Sequence, residues 1–275
     1  MTINRSGNFI HRLSAATSKL LFCCKVSRDL RTWFRLITNT KKLSWSAAGH
    51  LSQADEATTS YHFTLARQPA TLALRTLQGD LQIFYDVWWR STYQLPNAIL
   101  QRAAVIVDLG AHVGMTSLYF SRHAPNATIY PVEADNQNYE LLCSNLAPVI
   151  QTGRVVPTHA AIHHRQEPVY LQKEFFSYNT HVAETITEWP VDGIRLADLI
   201  TLYELKRIDI LKIDIEGAEK FLLQEADTWM PITQHILIEL HDDQLRNLFL
   251  LTAAAHGFQV TKRPMAYEDI YWASR

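Results

Sequence analysis

Between residues 105 and 133 the chain gathers side chains suited to holding a small organic cofactor. Val105-Ile-Val-Asp-Leu-Gly-Ala-His-Val-Gly114 runs from an apolar stretch into a turn with two glycines, and Glu133 follows nineteen residues later. Glycine is scarce here, nine in 275 residues. Two within five residues therefore mark a place where the backbone bends sharply or approaches a ligand closely. A dinucleotide fingerprint reads Gly-x-Gly-x-x-Gly, and its second glycine is His112 in this chain. The turn also lacks the Gly-Lys-Ser/Thr of a phosphate loop. An acidic Asp108 at the mouth repels phosphate and suits a cationic ligand. Glu133 stands where a carboxylate accepts both hydroxyls of a ribose. The spacing points to a nucleoside carrying positive charge.

A second cluster lies a hundred residues on. Ile208-Asp-Ile-Leu-Lys-Ile-Asp-Ile-Glu-Gly-Ala-Glu219 places Lys212 and Asp214 on one face of a strand that is otherwise apolar. Glu216 and Glu219 then enter the next helix about one turn apart. In Ile236-Leu-Ile-Glu-Leu-His241, Glu239 and His241 share a face in the same way. An isolated buried charge is costly, so these groups must pair or reach the solvent of a cleft. Asp214 reads as a site residue. Lys212, Glu216 and Glu239 divide between catalysis and a structural ion network, and Glu219 reads as a first-turn acid favoured by the helix dipole. For taking a proton from an acceptor hydroxyl the candidates are Asp214 and His241, whose imidazole titrates near neutral pH. Asp214 with Glu216 or Glu239 also has the oxygen chemistry of a divalent-cation site; the reading adopted is no metal.

These groups need a parallel sheet to bring them together. Apolar runs at Ala104–Leu109, Thr128–Val132, Arg154–His159, Ile208–Ile215 and His235–His241 alternate with helical stretches at Val113–His123, Asn136–Leu146, Ala197–Leu205, Gly217–Ala226 and Gln244–His256. Such alternation implies an α/β fold with right-handed crossovers, and ligands in such sheets bind outside the carboxyl ends of the strands. Phe258–Thr261 and Asp269–Ala273 read as a closing antiparallel hairpin. Short strand-like pieces fill 168–196, and the acceptor pocket is assigned to the loops of 163–190. Upstream, residues 61–76 alternate like strands, and Asp80 is placed to cap a helix over Leu81–Arg90. That helix is rich in aromatics (Phe84, Tyr85, Trp88, Trp89, with Tyr93 beyond), which reads as core packing.

Composition narrows the class. With 47% apolar and 19% charged residues the chain can bury a large core. A net charge of −1 argues against a dedicated nucleic-acid binder. The balance is uneven: residues 1–49 hold nine Lys/Arg and one acid, Asp29, a local +8 that leaves −9 for the rest. Helically spaced apolar residues over 9–38 suit an amphipathic helix on an anionic membrane or a partner, beside the plainer readings of a solvated tail or a helix packed on the protein's own domain. Residues 44–58 read as a linker. Cys23, Cys24 and Cys143 form no disulfide framework and no zinc spacing, which fits reduced thiols in a cytoplasmic protein. No apolar run reaches the length of a membrane span, and no signal peptide is discernible. The expected organisation is a basic segment and linker at 1–58, a strand/helix cap at 59–103 and the main domain at 104–275.

The motifs resemble the FkbM family of S-adenosylmethionine methyltransferases. The likeness covers roughly Leu72 to the C-terminus. It rests on Leu72-Ala-Leu-Arg with Gly79-Asp80 and Tyr93, on Asp108-Leu-Gly-Ala-His-Val-Gly114 and on Val132-Glu133. Leu196-Ala-Asp198-Leu, Asp209-Ile-Leu-Lys-Ile-Asp-Ile-Glu-Gly-Ala-Glu219 and Ile238-Glu239 complete it. Lys-x-Asp-x-Glu-Gly-x-Glu is the specific signature. Two departures stand out: His112 replaces a usual Asn, and Glu133-Ala134 a usual Glu-Pro. The resemblance implies a Rossmann-like class I fold: a mostly parallel seven-stranded sheet with helices on both faces and a C-terminal antiparallel hairpin. It implies S-adenosyl-L-methionine as cofactor, held by Asp108, Gly110, Ala111, His112, Gly114, Glu133, Ala134, Ala161 and Asp214, with Asp214, His241 and Lys212 at the chemistry. It further implies O-methylation of a glycan or natural-product hydroxyl. The alternatives are N-methylation of a protein or nucleic acid, and a non-catalytic cofactor-binding scaffold.

Overall fold

The computed structural model describes residues 5–47, 58–164, 167–174, 176–183, 185–240, 242–264 and 269–275. The chain forms two compact units, Met1–Arg90 and Ser91–Arg275.

In the first unit, helices α1 (Arg5–Val26) and α2 (Leu30–Ala47) precede strands β1 (Thr59–Leu65) and β2 (Gln68–Leu74) and helix α3 (Asp80–Trp88). The helical period read over 9–38 is thus split in two. Asp29 makes the break: its carboxylate accepts the Thr32 N–H at 2.7 Å, starting a new helix. β1 and β2 pair antiparallel from Thr59↔Leu74 to Leu65↔Gln68. Ala66 and Arg67 turn the hairpin with φ of 47° and 63°, the positive-φ pair of a two-residue turn whose twist matches the strands. Tyr61, Phe63, Leu72 and Leu74 are buried, as are Phe84 and Tyr85, with Phe63 stacked on Tyr61 at 5.6 Å and on Phe84 at 4.5 Å. The aromatic helix is therefore core at Phe84 and Tyr85. The expected Asp80 cap is not made. Gly79 (φ 92°) occupies the cap position, and Asp80 turns away to clamp the buried Arg75 guanidinium at 2.8 and 2.9 Å. A charge pair outcompetes a cap here because an unpaired Arg75 would be expensive to bury.

The second unit runs α4 (Asn97–Arg102), β3 (Val105–Leu109), α5 (Met115–His123), β4 (Thr128–Glu133), α6 (Asn136–Ile150), β5 (Thr158–His159) and β6 (Ala161–Ile162). It continues through β7 (Pro168–Gln172), β8 (His181–Val182), β9 (Pro190–Ile194), α7 (Leu196–Leu202), β10 (Ile208–Ile213), α8 (Glu219–Gln224) and α9 (Ala226–Trp229). β11 (Thr233–Glu239), α10 (Asp243–Ala255), β12 (Gln259–Lys262) and β13 (Ile270–Ser274) close it. Seven strands form one sheet in the order β12-β13-β11-β10-β3-β4-β5. The five from β11 to β5 are parallel, and β13 and β12 return antiparallel, as expected. All six residues of β10 are buried, which is why the strand is apolar apart from Asp209 and Lys212. Asp209, at its amino end, accepts the N–H groups of Ala104 and Val105 at 2.8 and 3.0 Å, tying the start of β3 to β10. The third parallel strand is shorter than the expected 154–159. Only Thr158–His159 pair with β4, beyond a single bridge at Val155; Pro157 between them has no N–H for the ladder. The pieces within 168–196 join β6 in a separate four-stranded sheet, β6-β9-β7-β8, around Ala161, Val169, Leu171 and Val191.

Candidate active site

The carboxyl ends of β3, β4 and β10 meet in one place. β3 pairs with β4 on one side and β10 on the other, with Asp108 beside Lys212 and Pro131 in register. Beyond Leu109 the chain turns through Gly110 (φ 73°), His112 (φ 49°) and Gly114 (φ 86°). The N–H groups of Gly110 and Ala111 both donate to the Val132 carbonyl at 3.0 Å, hanging the turn on the end of β4. A Cβ on Gly110 would lie 1.7 Å from the backbone oxygen of Asp214. One on Gly114 would press on Leu146 at 3.1 Å. Both glycines are thus required by the protein's own packing: the first lets the β3 and β10 turns touch, the second lets α6 approach.

Lys212 sits at the centre of this junction. Its ammonium donates to the carbonyls of Leu109 at 3.1 Å and Gly110 at 2.6 Å, and lies 3.3 Å from Asp108 and 3.4 Å from Asp214. Burial alone would lower its pKa; the Asp108 and Asp214 carboxylates outweigh that and hold it above the usual value. Lys212 is buried, and its recorded contacts are all internal. These contacts brace the turn and balance two acids, the ion-network side of the two readings open for Lys212. Asp108 also lies deeper than its sequence position suggests, fully buried, accepting the Ser117 hydroxyl at 2.6 Å. Of the three, Asp214 is the one that reaches out: its side chain is 23% exposed, and the Tyr93 hydroxyl donates to it at 3.0 Å.

Glu133 closes the other side. Its Oε2 accepts the His112 N–H at 2.8 Å, and its Oε1 accepts the Asp135 N–H at 2.9 Å and the Asn138 amide at 3.3 Å. Burial pushes the Glu133 carboxyl up to about 7, against the pull of the Asp135 and His112 N–H groups. A carboxylate has roughly four acceptor sites, so Oε2 keeps capacity for a hydroxyl. His112 reaches Ser177 through Nε2 at 2.8 Å, and Asn138 donates to the Ser177 carbonyl at 3.3 Å. Residues 177–179, a short 3-10 turn between β7 and β8, are thereby fastened over the Gly110–Gly114 turn. Lys173 adds a second tie, to Asp135 at 2.6 Å. Ala134 packs against the small core that contains buried Ala161, and the Ala160 N–H donates to the Glu133 carbonyl.

Glu219 is buried at the start of α8, where its carboxylate accepts the N–H groups of Ile215 and Gly217 at 3.3 and 2.8 Å. It holds the turn after β10, the structural role expected of it. Glu216 takes a positive φ of 49° in that turn. His241 lies outside the described residues. Among the described residues no cluster of three or more His, Cys, Asp or Glu could hold a metal ion. Sequence reasoning missed Ser177, Asn138, Asp135 and Lys173. Asp135 carried a legible signal, an Asx residue before a helical stretch, and it does cap α6 through the Asn138 N–H. Ser177 carried none, because its place depends on the packing of a loop.

The donor set fits an adenosyl cofactor with a cationic tail. Asp214 and Glu133 offer carboxylate oxygen, and the Lys212 ammonium between Asp108 and Asp214 is already balanced.

The strand order and the acidic turn at its centre define a Rossmann-like class I methyltransferase fold. The chain belongs to the Methyltransferase FkbM domain family, whose profile matches residues 108–260. Among curated relatives it is 28% identical over 163 residues to Methyltransferase 1 of Beauveria bassiana, a stretch covering 50% of this chain and 65% of that protein. It is 24% identical to the methyltransferase sdnD of Sordaria araneosa, covering 66% of this chain and 82% of that one. It is also 24% identical to the 31-O-demethyl-FK506 methyltransferase FkbM of Streptomyces tacrolimicus, covering 66% and 83%.

Proposed function

We propose that the chain is an S-adenosyl-L-methionine-dependent methyltransferase that methylates a hydroxyl of a small-molecule or glycan acceptor. One observation carries this reading: a partly exposed Asp214, held by Lys212 and Tyr93, stands at the same strand ends as Glu133 and the Gly110–Gly114 turn. In the bound state Glu133 Oε2 would accept a ribose hydroxyl, and the turn from Gly110 to Gly114 would border the methionine part. Bound there, the cofactor supplies a methyl group already activated on a sulfonium. What remains for the protein is to align the acceptor and take its proton. Asp214 is assigned that proton, with Tyr93 orienting the carboxylate. Lys212 keeps the turns in contact. The name of the Streptomyces relative, a 31-O-demethyl-FK506 methyltransferase, supports oxygen as the acceptor atom. The −9 charge outside residues 1–49 supports a small acceptor over nucleic acid.

Calorimetry with S-adenosylhomocysteine and with NAD tests the cofactor assignment; binding of NAD alone would overturn it. Asp214→Asn is expected to fold and to bind S-adenosylhomocysteine, while turnover falls by about 10²–10⁴-fold once an acceptor is in hand. Near-normal turnover moves the base role to another residue, and loss of folding assigns Asp214 to the ion network alone.

A further inference from the structure

Helix α2 is built with two apolar sides. Leu36 and Leu43 turn into the core of the first unit, while Leu30, Phe34 and Trp45 stand in solvent at 84%, 63% and 62% exposure. At 3.6 residues per turn, Leu30, Phe34, Lys41 and Trp45 fall within about 60° of arc, on the side opposite Leu36 and Leu43. The stripe is about 22 Å long. Lys41 lies inside it, and Arg31, Lys42 and Arg35 follow along one flank; Arg31, Lys41 and Lys42 are exposed. No acid occurs anywhere in α2 or α1, and α1 adds exposed Leu20 and Leu21.

A surface helix gains nothing in water from a leucine, a phenylalanine and a tryptophan facing outward. Three features say what covers them. The stripe is a ridge on one helix, so it suits a soft, flat surface better than a groove. Apolar and long basic side chains alternate along it, the pattern of a helix lying at a bilayer interface with its lysines reaching up to the phosphates. Pairing two copies through the ridge would set Arg31, Lys41 and Lys42 against themselves, whereas an anionic lipid surface complements them. The stripe also lies outside the family-matched residues 108–260, so the methyltransferase fold does not require it.

We propose that α2 docks the protein on an anionic membrane surface, with Leu30, Phe34 and Trp45 in the acyl boundary and Arg31, Lys41 and Lys42 at the headgroup phosphates. Each cation near such a surface contributes about fivefold in affinity, and the attraction decays within a Debye length. The test is co-sedimentation of the full chain with vesicles of phosphatidylcholine, with and without phosphatidylglycerol, at low and high salt. Wild type is expected in the pellet with phosphatidylglycerol vesicles at low salt and in the supernatant otherwise. Lys41→Glu with Lys42→Glu should weaken capture by about 25-fold or more. Phe34→Ser with Trp45→Ser should abolish it without lowering the melting temperature, because neither side chain packs in the core. Leu30→Ser reads the same ridge at its first turn and keeps the test intact if the pair lowers the melting temperature. Capture indifferent to lipid charge, or unchanged in the ridge variants, overturns the proposal. So does a wild-type dimer that Phe34→Ser with Trp45→Ser dissolves and that ignores vesicles; the ridge would then belong to a second copy of the chain.

Discussion

Glu133 is the group through which pH should reach the cofactor. Its carboxyl is pushed up to about 7 by burial, despite the His112 and Asp135 N–H groups that favour its charged form. In the unfolded chain a glutamate titrates near ~4.3. A folded pKa above the unfolded one contributes stability that is complete below about 4.3 and is lost as pH rises through about 7. Between pH ~6 and ~8 one such group costs the ligand-free protein about 1.4 kcal/mol. Over the same interval its ionised fraction climbs from roughly one in eleven to roughly ten in eleven. Ribose hydroxyls donate, so they need the ionised form, and affinity for S-adenosylhomocysteine should rise about tenfold from pH ~6 to ~8. The two slopes run in opposite directions, which no unspecific loss of structure reproduces. Calorimetry for affinity and thermal melting for stability, on wild type and Glu133→Gln, measure both. Glu133→Gln should flatten each slope, leaving any remainder to histidines such as His235, whose pKa burial lowers. A wild-type affinity that does not change across this range, or a slope undiminished in Glu133→Gln, refutes the ribose assignment.

The remaining predictions concern the brace. Gly110→Ala puts a Cβ into the Asp214 carbonyl at 1.7 Å and at a φ of 73°. The backbone conformation alone costs about 1 kcal/mol or more, and the overlap parts the two turns, so the variant is expected to be insoluble or to melt far below wild type. Gly114→Ala shares the positive φ, at 86°, but meets only side chains, Leu146 at 3.1 Å and Leu142 at 3.3 Å, and should be the milder of the two; equal melting temperatures for both would refute the close-contact account. Lys212→Met leaves Asp108 and Asp214 without their shared cation and should cost about 3–5 kcal/mol by denaturant unfolding. Unchanged stability would show that the ammonium is dispensable as a brace.

Much of the fold was legible because its strands are unambiguous. Val105–Leu109 and Ile208–Ile213 are dominated by Ile, Val and Leu on both faces, broken only by Asp108, Asp209 and Lys212, and a strand covered on both faces needs that. The antiparallel close read at Phe258–Thr261 and Asp269–Ala273 stands at Gln259–Lys262 and Ile270–Ser274. The third parallel strand read too long because apolar and β-branched residues on either side of Pro157 look continuous, while the ladder depends on N–H groups that a pattern of side chains does not report. The Asp80 cap misread has a related origin. A capping residue is recognised locally, and its competitor, Arg75, entered only through a buried pairing that the hairpin creates.

The site shows where local reading stops. A charged residue inside an apolar strand signals something that must be paired, and both a catalytic lysine and a structural one meet that description. For Lys212 the partners favour the structural side: two carbonyls of the β3 turn and two carboxylates take up its ammonium. The same holds for the glycines, whose missing Cβ atoms make room for Asp214 and Leu146. Protein contacts by themselves account for both glycines, so the functional reading leans more on the groups that still have capacity. Those are Asp214, partly exposed and oriented by Tyr93, and the free side of Glu133 Oε2. Motif and mechanism divide accordingly: most of the residues that make the family recognisable build the junction of three strands, and the few that it leaves open are the ones a substrate can reach.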